Sequence, residues 1–391
     1  MVDNLTRVER SGLSLPLQFA DAHPRRPPVA GEARILSDLD RILRLCYELD
    51  PIELERRFVN SHLALAGQQP PPSAQAHVYF SASQAIEVAA QLVATRQAQR
   101  QQHSRSQRRQ TLAVFAPIFD SIPAQFHERN IRVMALPEAL LHRPSQRLEL
   151  ERALRYVDAV YIISPSNPLG GVVGRERLAY LAALCASRQQ LLIVDASFRL
   201  YDPAAGYDHY SVLNASRADW LVVEDTGKLW AAHDLKAAIL LSSWQLEAAA
   251  TAAFETRLLS ISPFVLALLW QLAETAGAQA VEDIRRFIAA NRQLVADSVA
   301  GTWLSIGGTE GAQVPVAVLH YDRKRFSDQT SLLAQVKARG LGLTGSQLYY
   351  PPERRSRSSL VALPPFLRLA LSRPPERLYA ALELLRAFPD D

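Results

Sequence analysis

The chain has 391 residues, 48% of them apolar and 21% charged. That balance excludes a disordered, collagen-like or disulfide-stapled chain and leaves room for a large core in more than one domain. The formal net charge of +4 is too small to argue for nucleic acid. The two cysteines, Cys46 and Cys185, lack metal-ligand or redox spacing, which points to a reduced, cytoplasmic setting.

Residues 1–30 are irregular and proline-rich and read as an N-terminal arm, without the apolar segment of a signal peptide. Residues 33–66 are predicted helical from the spacing of Ile35, Leu39, Ile42 and Leu43, with Pro51 as punctuation. A QQPPPS linker (68–73) leads to a strand at 77–80, the tripeptide SAS and a helix beginning AIEVAA. The basic run 96–110 has no interleaved aromatics and reads as a solvated helix end with a surface loop rather than a nucleic-acid arm. Strands follow at 111–117, 131–137, 158–165, 190–197 and 219–225, with helices at 122–130 and 175–187. Apolar, non-alternating strands in this rhythm predict a mainly parallel, doubly wound α/β sheet, whose ligands sit at the strands' carboxyl ends.

From about residue 245 the pattern changes. A long helical region (245–300) contains Pro263, followed by a strand at 314–321, a helix at 330–339, a glycine-containing loop, a strand at 367–372 and a closing helix at 375–387. This predicts a second, smaller C-terminal α/β domain. The resulting division is an arm with helices packing against the small domain (1–65), a large domain (66–275) and the small domain (276–391). The longest strongly apolar run, 264–270, is far short of the roughly 20 residues of a membrane span.

GLGLTG (340–345) fits the dinucleotide fingerprint but follows a helix and precedes SQLYYPP, the wrong context. The histidines form no cluster with ligand spacing, so no metal site is expected. Ser81-Ala82-Ser83 opens a helix and offers either a plain N-cap or free N–H groups for a phosphate. The turn at Asn167 ends a buried strand and either connects to the next helix or sets an amide over a ligand. Asp195 ends the run LLIV, as a cap or as a charge held in a low-dielectric site. Lys228 follows a buried strand, exposed in a loop or desolvated for Schiff-base chemistry. Phe119 ends its strand as core or as a stacking face. Arg368 sits in an apolar strand, where its fork suits an internal ion pair or a bound carboxylate.

The order of these residues, in a chain of this alternation, resembles the fold-type I pyridoxal-phosphate enzymes of the class I/II aminotransferase-like superfamily, from about residue 30 to the C-terminus. The resemblance implies pyridoxal 5'-phosphate held by the large domain. It makes Asn167-Pro168-Leu169-Gly170 the turn whose asparagine meets the cofactor's phenolic oxygen, and Asp195 the partner of its pyridine nitrogen. Lys228 becomes the Schiff-base lysine, Phe119 the stacked ring, Ala82 and Ser83 the phosphate turn, and Arg368 the grip on the substrate carboxylate. The chain departs from the family pattern in three places. Phe198 replaces a common tyrosine, Asp225-Thr226-Gly227 replaces a Ser-x-Ser segment, and Lys236 replaces a phosphate-binding arginine.

The implied activity is amino-group transfer from an α-amino acid, in a cytoplasmic homodimer without nucleic-acid or membrane partners. Tyr47 and Ser262 are candidates for contacts between subunits. The alternative is a lyase, cyclase or oxidase of the same fold, acting on an arginine-like or S-adenosylmethionine-like substrate. A more remote one is a non-catalytic ligand-binding relative.

Overall fold

A computed structural model describes residues 4–101, 109–322, 324–350 and 365–388. Strand β1 is Leu17–Gln18, β2 Gln75–Tyr79, β3 Thr111–Ala116, β4 Arg132–Pro137, β5 Ala159–Ile163, β6 Leu191–Asp195, β7 Asp219–Asp225 and β8 Ala238–Ser242. Strand β9 is Leu304–Gly307, β10 Val316–Tyr321, β11 Leu341–Gly342, β12 Thr344–Gly345 and β13 Phe366–Ala370. The main sheet has the order β2-β8-β7-β6-β5-β3-β4. Its five strands from β7 to β4 run parallel, while β8 is antiparallel to both of its neighbours.

Both faces of this sheet are covered. Val160 and Ile162 of β5 enter one apolar layer, and Ala159 and Tyr161 enter the other. That two-sided burial is why the strands read as continuous apolar runs. The C-terminal part builds an antiparallel sheet, β12-β13-β10-β9.

The structure departs from the sequence expectations where tertiary contacts decide. Residues 5–12 of the expected irregular arm form a helix, Leu5–Gly12, capped by the Asn4 side chain accepting from Arg7 N at 2.8 Å. The arm then adds β1 parallel to β11. The helical region 33–66 divides at Pro51, as its sequence suggests, and also near Asp38: Asp38 and Asp50 each accept at an N-cap, giving Ala30–Leu36, Leu39–Glu48 and Pro51–Leu65. The last two pack against Pro263–Gln271, and Ala30–Leu36 packs against Gly277–Val299. The region 245–300 breaks ahead of Pro263. By length and composition the run Pro263–Val299 could cross a membrane, but Leu266 to Leu269 are buried in the core. Strands β8 and β9 had no counterpart in the sequence reading. The basic run continues the helix Ala82–Gln101, and residues 102–108 of it lie outside the described residues.

Candidate active site

The carboxyl ends of β5, β6 and β7 open on a cavity of about 460 Å³. Ala82, Ser83, Phe119, Asn167, Asp195, Lys228, Lys236 and Arg368 all line it, so the fold gathers every site residue singled out in the sequence. They come from helix starts, strand ends and loops spread over nearly 290 positions of the chain.

Asp195 is the last residue of β6 and is buried. Its Oδ1 accepts from Ser197 N at 3.0 Å and Ser197 Oγ at 2.6 Å, and its Oδ2 accepts from Tyr161 OH at 2.9 Å. Burial raises the carboxyl above its usual range, and the donors from Ser197 and Tyr161 pull it part of the way back.

Lys228 follows β7. The Tyr201 hydroxyl donates to its carbonyl at 2.5 Å, which pins the backbone, and its Nζ lies 3.0 Å from His23 Nε2. Desolvation lowers the pKa of this amine below the ordinary lysine range against the pull of the Asp225 and Glu9 carboxylates. A larger neutral fraction near neutral pH makes the amine a better nucleophile and base. Lys236 Nζ reaches the same His23 nitrogen at 3.3 Å and Asp234 Oδ1 at 3.6 Å. Its stem lies over Gly227, where a Cβ would come within 2.7 Å of the Lys236 chain, so a side chain there would displace Lys236.

The departures from the family pattern have structural counterparts. The Thr226 hydroxyl donates to Ala237 O at 2.8 Å and accepts from Ala237 N at 2.9 Å, so it ties the end of β7 to the start of β8. Asp225 accepts from Gly227 N at 3.0 Å while lining the cavity. Phe198 also lines the cavity, its ring edge-on to Tyr201 at 6.0 Å, and it brings no hydroxyl.

Arg368 lies on β13 with its side chain fully buried. Nη2 donates to Glu9 Oε1 at 2.8 Å and to the Ala20 carbonyl, and Nη1 donates to Asn167 Oδ1 at 3.4 Å. Nε is buried without a partner among the described residues. Burial works against this charge, but Tyr349 and Glu9 outweigh it and the pKa stands above its ordinary value. The Asn167 turn is held from beneath, where Ser166 Oγ donates to the buried Glu138 at 2.6 Å and accepts from Gly171 N at 2.9 Å.

At the helix start, Ser81 accepts from Gln84 N through both its carbonyl and its hydroxyl, which makes it a cap. Helix geometry still leaves the N–H groups of Ala82 and Ser83 free to meet an anion at the cavity. The cap at Ser81 is therefore present, and it leaves the phosphate reading of Ala82 and Ser83 open at the cavity wall.

Further residues escaped the sequence reading, Ser197 among them. Thr6, Glu9 and His23 come from the arm, and Tyr161 lies in β5. Asn4 ahead of apolar Leu5 and Val8 is the signal that would have found the first helix. Nothing local marks Glu9 as a partner of Arg368, 359 residues away.

The donor set fits pyridoxal phosphate. It offers a desolvated amine, a buried carboxylate with acceptor capacity left, an aromatic face, and N–H groups with a lysine for a phosphate.

The family model for aminotransferase class I and II matches residues 105–339. A search of curated protein sequences finds no match. Among solved structures, MppP soaked with the product 2-ketoarginine superposes with a TM-score of 0.82 at 26% identity, over 94% of this chain and 98% of that one. Aspartate aminotransferase from Thermus thermophilus with maleate gives 0.77 at 15% identity, over 99% and 96%. N-succinyldiaminopimelate aminotransferase from Mycobacterium tuberculosis gives 0.74 at 15%, over 98% and 97%. At such identities the last two speak for the fold.

Proposed function

Because the chain belongs to the aminotransferase class I and II family and is a pyridoxal 5'-phosphate-dependent enzyme, we propose that it transfers the amino group of an α-amino acid with a cationic, arginine-like side chain. When bound, the cofactor supplies an aldehyde carbon for the Lys228 amine and a ring that accepts electrons. Asp195 would meet the ring nitrogen, Phe119 the ring, and Asn167 the phenolic oxygen. The backbone of Ala82 and Ser83 with Lys236 would hold the phosphate. Arg368 grips the substrate α-carboxylate, exchanging Glu9 and Asn167 for it. Lys228, its pKa lowered by desolvation, takes the α-proton and returns it.

The observation that carries the side-chain preference is the placement of Asp225 and Glu9. Both carboxylates line the cavity that holds Lys228. A cationic side chain would find them there, and Glu9 is left without Arg368 once the substrate carboxylate takes its place. The neighbour at 26% identity was soaked with 2-ketoarginine as its product, the oxo acid of such an amino acid.

A second reading, loss or oxidation of the substrate on the same fold, draws on two observations. Phe198 offers the phenolic oxygen no donor, and Thr226 is tied to Ala237 instead of facing a phosphate. Arginine added to the holoenzyme separates the two. Loss of the visible band that a 2-oxo acid restores supports amino transfer, while ammonia release without an oxo acid supports the second reading. A protein with no visible band after loading, or a band unchanged by borohydride and by Lys228→Ala, refutes both.

A cytoplasmic homodimer is part of the same reading. Leu39, Leu43 and Tyr47 are exposed at four-residue spacing on one helix, with Ile52 exposed just beyond. Such an apolar stripe suits a second copy of the chain. A monomer by light scattering at micromolar concentration would rule it out.

A further inference from the structure

Strand β5 places a single hydroxyl in the sheet. Tyr161 pairs with Ile193 of β6, so Asp195 is its diagonal neighbour on the same face. Its OH reaches Asp195 Oδ2 at 2.9 Å, while Oδ1 is occupied by Ser197 N and Oγ. A carboxylate accepts about four hydrogen bonds. Three are therefore taken from within the protein, and one position is left toward the cavity that Asp195 lines.

We propose that Tyr161 is a positioning residue for Asp195: it fixes the carboxylate's orientation and holds it ionised, so that the last acceptor position meets the cofactor's ring nitrogen as a charge. This rests on the functional reading above. Burial and the adjacent carboxylate push the Tyr161 hydroxyl well above its ordinary pKa, so it stays a donor at every working pH. Without this donor Asp195 becomes more basic. The proton shared with the ring nitrogen then shifts toward the carboxylate, the ring withdraws fewer electrons, and the Lys228 nitrogen joined to the cofactor holds its proton to higher pH.

The test measures two quantities besides turnover: the dissociation constant for pyridoxal phosphate, and the pH midpoint of the visible band. Tyr161→Phe keeps the ring and removes only the hydroxyl. The dissociation constant is expected to rise by about threefold to tenfold, because Asp195 without this donor makes a weaker charged contact with the ring nitrogen. The midpoint is expected to move up by a few tenths of a pH unit to about one. His23, Asp21, Glu9, Asp225 and Lys236, the charged and titratable groups around Lys228, are untouched by the substitution. Tyr161→Met, also without a donor, gives the same two shifts should the first variant not fold.

Phe126→Leu is the packing control. Phe126 lies edge-on to the Tyr161 ring at 6.0 Å. Losing that contact is expected to lower thermal stability and leave the midpoint in place. Unchanged binding and midpoint in the hydroxyl-free variants overturn the proposal alone, as does an equal midpoint shift in Phe126→Leu. A wild-type protein that binds no pyridoxal phosphate overturns the cofactor reading and this proposal with it.

Discussion

Replacing Arg368 by lysine keeps the charge and removes the fork. The arginine is fully buried, with Nη2 on Glu9 at 2.8 Å, Nη1 on Asn167 at 3.4 Å and Nε without a partner among the described residues. A substrate carboxylate docking on the fork makes two charge-assisted hydrogen bonds, each worth about 1.5–3 kcal/mol. Lysine recovers one of them. The net loss of about 1.5–3 kcal/mol corresponds to roughly a 10- to 150-fold fall in kcat/KM for the amino acid. Stopped-flow measurement of the first half-reaction reads this directly. The decarboxylated amine of the same substrate, which has nothing for Arg368 to grip, serves as the internal control and should be little affected. An amino acid whose kcat/KM falls less than about threefold, or an amine that falls as far as the amino acid, would refute the assignment.

Three other outcomes are expected of the same structure. Glu32 and Arg26 are fully buried, joined at 2.7 and 2.8 Å, and Glu32 also accepts from Val29 N and Ala231 N. Glu32→Ala should cost about 3–5 kcal/mol by leaving a buried guanidinium uncompensated; a loss below about 1 kcal/mol in denaturant titration would contradict this burial. Gly170 has φ +80, and a Cβ there would lie 2.5 Å from Ala312 Cβ. Gly170→Ala should therefore destabilise the protein by about 1–3 kcal/mol and weaken cofactor binding by shifting the Asn167 turn, with an unchanged Tm counting against it. In the apoenzyme, native Lys228 has a pKa below its unfolded value of 10.5, so between the two the native state binds fewer protons and stability rises with pH. Lys228→Met should thus be more stable than wild-type apoenzyme near neutral pH, with a gap that narrows toward pH 10.5; a gap constant with pH would show that the amine is not desolvated.

How much was legible beforehand differs from element to element. Strands β3 to β7 could be read because burial on both faces demands unbroken apolar runs, a local property of sequence. Asn167, Asp195 and Lys228 could be read because each is polar and follows such a run. Helix Leu5–Gly12 was missed because its stability comes from the cavity wall it covers, including Leu5 N on Asp120 at 2.8 Å and Glu9 on Arg368. Isolated helices this short are marginal in water, so pattern alone carries little weight there. Strand β8 was missed because four apolar residues and a serine between a loop and a helix do not choose their own state. Its pairing with β2 and β7 chooses it.

The sequence by itself determined the α/β alternation, the family resemblance and the residue types of the site, because hydrophobic period and the chemistry of a side chain are local. Only the tertiary structure decided what each side chain meets. Ser81 caps the helix while Ala82 and Ser83 still face the cavity, and Thr226 turns to Ala237. The Arg368 fork meets Glu9 from the opposite end of the chain, and Tyr161 completes the shell of Asp195 from the neighbouring strand. Hydrogen bonds and desolvation act over a few ångströms of space, and distance along the chain does not measure that.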